Sequence, residues 1–553
     1  MLGLGLGLGI GAAQTPPLAR YNIGGKAPAV VADFSAGVYG LNGAPVAFDG
    51  LFSFARLSAA WKLNGLGDWV EVSSGEPRTG HHIWKDGKLV PAGQLVESAT
   101  RTQFVRYASA IVGNWGSPDS DLSDAGDDFV RITSEGGSPF PRTEIGSLTA
   151  GAGTFTAQAD FREGSSGVAV LRFTGTGIKG SDTSYAVQFN FSDQSVIYAG
   201  SGGSPAVDAG FELVSPGVYR VYATVTATTI TGINIYPVWN GSTAGQTVDF
   251  RYPQIVNAVT PTSFIPNTAD SSVTLAGETL QINAPVLARA VGSPGPGLFS
   301  PDDTSDGSSA GGAVSVVGDS ISVINTTGTA RSTNDITYEV GEKYLLEFVS
   351  SGAPMGVYHG GSLALGTLQD GKNSYLFEAQ ADSNQIGFRN FNSGTTGVVS
   401  NVTLRKVTMP EELTLLINGT VTYADEDSFN TVKLIEWRVS SDDYLEISLD
   451  TSGAETGEVN FKSNLGGVFT GAQSASDAYS PGTEVHFSIA LIVTATAIEG
   501  FCNGVSTGQI AHGGMADLLS APAKLFPVGN ATLKDIRLWS EALPSADMLE
   551  ATG

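Results

Sequence analysis

TFTAQADFRE (residues 154–163) places Phe155, Ala157, Ala159 and Phe161 at every second position, with polar residues between them. A period of two marks a strand that sends alternate side chains into a core, because successive Cβ atoms point to opposite faces. The pattern returns in YAVQFNF (185–191) and again at Tyr219, Val221, Ala223 and Val225. It recurs at Tyr375, Phe377, Ala379 and Ala381, at Ile386 and Phe388, and at Val402 and Leu404. A last set holds Leu445, Ile447 and Leu449, then Val485, Phe487, Ile489 and Leu491. Clusters of Gly, Pro, Asn and Ser punctuate these runs, and no long amphipathic helix interrupts them. The pattern predicts an all-β chain: several antiparallel β-sandwich domains in tandem.

At 553 residues the chain has room for three or four cores. Its 29 basic and 54 acidic residues leave a formal charge of -25, a field that repels phosphate backbones and anionic lipid. Neither nucleic acid nor membrane insertion is expected. The single cysteine, Cys502, rules out an intramolecular disulfide framework and cysteine-rich metal sites. Composition shifts divide the chain into an irregular N-terminal region (1–100) and strand-rich blocks at 101–284, 285–410 and 411–553. The clearest break is VGSPGPGLFSPDDTSDGSSAGG, 291–312.

The opening MLGLGLGLGI lacks the basic n-region of a secretory signal and is too short and glycine-rich for a membrane helix. Extended, it sets Leu2, Leu4, Leu6, Leu8 and Ile10 on one face. Two readings stay open: a frayed terminus, or a docking arm that adds to a partner's sheet edge.

Short motifs add a resemblance. FARLSAAW (54–61), EPR (76–78) and GQLVE (93–97) followed by TRTQ resemble a leader shared by tailed-phage and prophage virion proteins, although Gln103 stands where that pattern has Asn. The segment 217–267, with its P-T-S-F-I-P, resembles the closing strands of the jelly roll that follows such a leader. SNVTLRKV (400–407) is similar to the end of a carbohydrate-binding-module-like jelly roll, and ATLKDIRLWSEALPSADMLE (531–550) to the end of a concanavalin A-like or laminin-G-like sandwich. The resemblance implies a tail fibre, head fibre or spike of a phage or gene-transfer particle, made in the bacterial host cytoplasm and carried on the virion surface. It further implies an N-terminal region attached to other virion proteins, sandwiches that bind host surface polysaccharide, and a homo-oligomer; fibres are commonly trimers, but no heptads mark a trimeric stalk, and the number of copies stays open.

Candidate chemistry is sparse. GVSTG (504–508) matches the serine-hydrolase pattern at Ser506, but Asn503-Gly504 reads as a hairpin turn rather than a strand-to-helix elbow. Glu446 and Asp450 in DYLEISLD share one strand face, read as exposed. No E-x-D run occurs, so no catalytic pair is nominated and no enzyme is expected. DDTSDG (302–307) begins like an EF-hand but has Ala313 at the twelfth position. Jelly rolls commonly hold one structural Ca²⁺ at a loop, and that stays open; no other cofactor or metal is expected. For sugar, Trp239 and Asn240 in PVWNGSTAG are candidates, although counting from Ile233 and Ile235 puts Trp239 on the apolar face. Tyr358 and His359 in GVYHGG are a second, exposed pair; Trp437 and Trp539 read as core. An architectural decoration protein and a polysaccharide depolymerase are the alternative functions.

Overall fold

The computed structural model describes residues 18–199, 209–306, 312–327, 329–359, 363–368, 370–380, 384–425 and 431–553. Leu2, Leu4, Leu6, Leu8 and Ile10 lie outside these residues. The described strands form seven sheets, all antiparallel, and six of them supply three two-sheet cores. The chain is an all-β succession of sandwiches.

In the first sandwich, Gly153–Arg162 lies between Val218–Ala227 and Thr247–Val256. Phe155, Ala157, Ala159 and Phe161 face Leu171, Phe173, Val187, Phe189, Ile233 and Ile235 of the opposite sheet, as the alternation requires. A second sandwich spans 293–408, its core built on Tyr344, Leu346, Phe348, Val357, Phe388 and Leu404.

The third sandwich is assembled from three separate pieces of chain. Its central strand, Asn530–Trp539, pairs along one side with Leu413–Tyr423. Along the other side it takes Val30–Asp33 against residues 535–538 and Lys88–Glu97 against 530–533. The facing sheet ends in Ala523–Val528, Thr279–Ile282 and Phe52–Ala55. The helix Ala284–Ala290 adds Leu287 and Ala288 to the same core as Val30, Phe52, Leu415 and Ile536. Residues 18–97 are therefore not an irregular leader beside a separate 411–553 domain. Both belong to one composite sandwich, from which 101–275 and 293–408 emerge as excursions. Four-residue strands such as Val30–Asp33 are too short to show periodicity, and their partner lies about 500 residues away.

The leader motifs meet in a buried clasp. Arg78 of EPR donates through Nε and Nη2 to the two carboxylate oxygens of Glu278 (2.8 and 2.7 Å) and pairs through Nη1 with Glu97 of GQLVE (2.9 Å). Arg56 of FARLSAAW donates to Glu278 (2.6 Å), and Arg101 of TRTQ to Glu97 (2.7 Å). Glu97 also accepts from the backbone N–H and hydroxyl of Ser263, in the P-T-S-F-I-P segment, at 2.9 and 2.5 Å. Side chains of Arg56, Arg78 and Glu278 are 1% exposed, so each charge survives burial only because its partners replace water. Gln103, where the leader pattern has Asn, accepts on its Oε1 from Val105 and Ile255 N–H (3.1 and 2.9 Å), tying the leader to the first sandwich. Gly93 sits at φ +126, where a Cβ would fall 1.9 Å from the Leu533 carbonyl oxygen, so only glycine permits that strand crossing.

Arg78→Ala leaves Glu97 and Glu278 facing each other in the interior. Urea unfolding is expected to show a loss of about 3–5 kcal/mol; a change under about 1 kcal/mol would mean the clasp is not a stability centre.

Candidate functional site

Alternation along 154–163 implies one buried face, yet both faces are buried. Thr156, Gln158 and Asp160 are at most 1% exposed because the outer face of their sheet packs on 258–263 and on the composite sandwich. Gln158 exchanges two hydrogen bonds with the Thr262 backbone (3.0 and 3.1 Å), and Thr156 donates to the Ala258 carbonyl (2.8 Å). Polar residues on a strand can thus line a dry contact when every donor and acceptor is matched.

That contact does not close completely. A cavity of about 360 Å³ remains between the first sandwich, the hairpin 78–97 and the composite sandwich. On one wall Arg220 donates to Asp160 (2.9 Å) and to Glu212 (3.0 Å), while Arg251 stands 3.6 Å from Asp160. On the other, Glu484 occupies a β-bulge opposite Thr422 with φ +49, and its N–H donates to the Thr422 hydroxyl (3.0 Å). Burial pushes the Glu484 carboxyl up to about 8, with the neighbouring Glu212 adding to the rise. Glu212 is itself shifted upward by burial, against the pull of Arg220. His81 is buried beside the clasp and accepts the Leu63 N–H on Nδ1 (3.2 Å); burial, then Arg78, holds its pKa down at about 3.

Trp69 forms a partition. One side of it lines this cavity, with the Arg220 guanidinium 5.6 Å from its ring centroid. The other side faces a groove of about 600 Å³ built by aromatic rings. The two-stranded hairpin Ala60–Leu63 and Trp69–Val72 supplies Trp61 and Trp69, both half-buried. Opposite stand Phe129, Tyr252 and Phe264, with the rings of Tyr252 and Phe264 4.4 Å apart. Tyr252 reaches the groove because a bulge after Arg251 holds it at φ +54. Its hydroxyl donates to Asp128 (2.8 Å), and exposed Asp124 and Asp128 line the same rim. The acidic run 117–128 is therefore an edge hairpin, turned by Asp127 and Asp128 at φ +54 and +63.

The sequence-nominated residues are placed elsewhere. Trp239 does not follow Ile233 and Ile235 inward, because the strand ends at Tyr236. It packs instead on the outer face against Tyr236 and Phe140 (5.0 and 5.1 Å between ring centroids), next to an exposed Asn240. Tyr358 and His359 are successive residues of Met355–His359 and so point to opposite faces. His359 is buried, its ring 4.5 Å from Phe377, which corrects the exposed pair. Tyr358 lies in a groove of about 390 Å³ with exposed Phe391 and Asn392, and Arg389 sits 4.7 Å over its ring. Sequence reasoning passed over Trp61, Trp69, Tyr252 and Phe391; only Trp61 carried a signal, as the end of FARLSAAW.

Glu446 and Asp450 are buried, not exposed. Glu446 is held by Lys433 (2.9 Å) and Lys462 (3.2 Å), and Asp450 accepts from the Ser452 N–H (2.8 Å), so both carboxylates are committed to structure. Asn503 and Gly504 turn a hairpin with Cys502 opposite Val505, and the Ser506 hydroxyl donates to Glu499 (2.6 Å) with no helix following. Trp437 and Trp539 are core. Among the described residues no group of three or more His, Cys, Asp or Glu is arranged to hold a metal, and no helix is long and apolar enough to cross a membrane.

No protein-family profile and no curated protein matches this chain. Solved structures match loosely. The CBM22-1–CBM22-2 tandem domain of Paenibacillus barcinonensis Xyn10C is 8% identical over 57% of this chain and 98% of that one, with a TM-score of 0.18. Domains LG4-5 of the mouse laminin alpha1 chain are 11% identical over 74% and 90%, with a TM-score of 0.18. The GH43 protein BlXynB of Bacillus licheniformis is 10% identical over 80% and 100%, with a TM-score of 0.20. Superpositions this loose carry no function across.

The clasp sets the acid limit of the fold. Burial opposes the charge on Glu97, but Arg78, Arg101 and the Ser263 bonds overcome it and hold the carboxyl at about 2, below the usual 4.5. His81 at about 3 is likewise below its usual 6.5. Both values are lower in the fold than in the unfolded chain, so their stabilisation is present near neutrality and lost as pH falls. Thermal unfolding is expected to shift downward from about pH 6.5 to 3, and His81→Gln is expected to flatten the part above pH 4.5. A wild-type midpoint constant from pH 6.5 to 3 contradicts this assignment.

Proposed function

We propose that this chain is a non-enzymatic, glycan-binding appendage of a phage-like particle. The observation that carries the glycan reading is the groove between the 60–72 hairpin and the first sandwich, where the half-buried rings of Trp61, Trp69 and Tyr252 stand over buried Phe264, beside Asp124 and Asp128. Rings of this kind offer flat apolar faces to the C–H face of a pyranose, and neighbouring carboxylates accept from its hydroxyls. The groove's volume of about 600 Å³ suits a short oligosaccharide. The smaller Tyr358–Phe391 groove on the second sandwich repeats the chemistry with Asn392. Two weak sites on one rigid chain, multiplied by oligomerisation, raise avidity toward a repeating polysaccharide. The ordered leader motifs support the particle assignment.

An architectural role is the second reading, and the clasp favours it: the leader residues most like the virion pattern are spent holding sandwiches together.

Binding of the purified chain to bacterial surface polysaccharides, followed by calorimetry, tests the proposal. Trp61→Ala and Trp69→Ala are expected to weaken binding roughly tenfold or more, the effect of truncating a central tryptophan. Wild-type chain that binds no polysaccharide, that of an established host included, leaves the architectural reading. Reducing ends released from the ligand would contradict the non-enzymatic assignment.

A further inference from the structure

The cavity behind Trp69 brings two carboxyl groups together across a domain boundary. Glu212 comes from the strand Ala209–Ser215 of the first sandwich, and Glu484 from the bulge of the composite sandwich. Thr483, next to Glu484, lines the same cavity as Glu212, so the two strands face each other across it. Arg220 divides its guanidinium between Glu212 and Asp160. Among the described residues no side chain donates a hydrogen bond to the Glu484 carboxyl, and the pull of the shared Arg220 guanidinium is outweighed by burial and by Glu212. The bulge and the positive φ place the Glu484 backbone at the seam.

We propose that Glu212 and Glu484 make this seam a proton-dependent joint, closed while the pair holds a proton and loosened when both carboxylates are ionised. The joint does not depend on the glycan reading. Once the sandwiches part, each carboxyl returns to water and to its usual value of 4.5. Burial, with Glu212 opposite, has raised Glu484 to about 8 in the closed seam. A raised folded value means the closed state is favoured at low pH and loses ground as pH rises from 4.5 through 8.

The surrounding groups do not cancel this. His81, held down at about 3 by burial first, stays neutral across that window, and His486 is also lowered, by burial first. His82 is held by the Gly80 carbonyl (2.9 Å), and Lys85 meets His486 (2.8 Å) beside Asp86 at the cavity mouth. Arg220 and Arg251 already answer Asp160. The clasp borders the same cavity through Ser263, and its Glu97 is ionised throughout, so alkali loosens one end of the seam while the other stays fastened.

Hydrogen–deuterium exchange of the full chain at pH 6.5 and 9.5, corrected for the intrinsic rate, tests the joint. Segments 209–215 and 482–488 are expected to lose roughly tenfold in protection at the higher pH, while the second-sandwich strand Lys343–Gly352 keeps its own. Glu484→Gln removes the ionising group and is expected to retain protection at pH 9.5; Glu212→Gln repeats the test from the other side. Equal wild-type protection at both pH values, or a loss just as large in both Gln variants, would overturn the proposal.

Discussion

The bidentate pairing of Arg78 with Glu278, closed on the other side by Glu97, is the interaction on which the architecture rests. Burying charge is costly, and a guanidinium shared by two carboxylates is one of few arrangements in which planar geometry and hydrogen-bond number offset that cost. Its partners come from both ends of the first sandwich. Glu97 precedes the sandwich, and Glu278 follows it. Pairing them through one arginine brings the entry and exit of the excursion together, so the composite sandwich continues as though the intervening residues were a loop. Arg56 and Arg101 then balance the second lone pairs of each carboxylate.

That arrangement makes the composite sandwich unusually non-local. Asn530–Trp539 is flanked by strands from residues 30–33, 94–97 and 413–423, so its sheet cannot close until nearly the whole chain exists. The two excursions have local pairings and their own cores, and they can order before the sandwich that carries them. A rigid composite platform with two outlying modules presents grooves at module boundaries. Bulges at Tyr252 and Glu484 re-aim one side chain each into those boundaries, where a regular strand would have turned it into the sheet face.

Much of the fold was legible before any coordinates. Phe155 to Phe161 alternates as required, the Asn503-Gly504 hairpin is a local matter of left-handed backbone, and Trp437 and Trp539 are as buried as their strands imply. The site was less legible. Trp239 was placed by counting past the end of its strand, and Tyr358 was paired with a neighbour that strand geometry sends to the other face. Trp61 and Trp69 lie on a short hairpin with little periodicity, and Tyr252 is aimed by a bulge that no pattern of residue types announces.

Strand class, hairpin turns and the inward residues of each sheet are local properties, because they follow from backbone sterics and a period of two acting over a few residues. The primary structure also carries the clasp residues in their motifs, without showing what they clasp. That Thr156, Gln158 and Asp160 face protein rather than water, and that residues 30–97 complete a sandwich begun at 413, is settled by long-range packing. The physical reason is the same in both cases. A polar side chain is equally content against solvent or a matched partner, and a strand edge accepts any strand of suitable register, so both choices belong to groups distant in the chain.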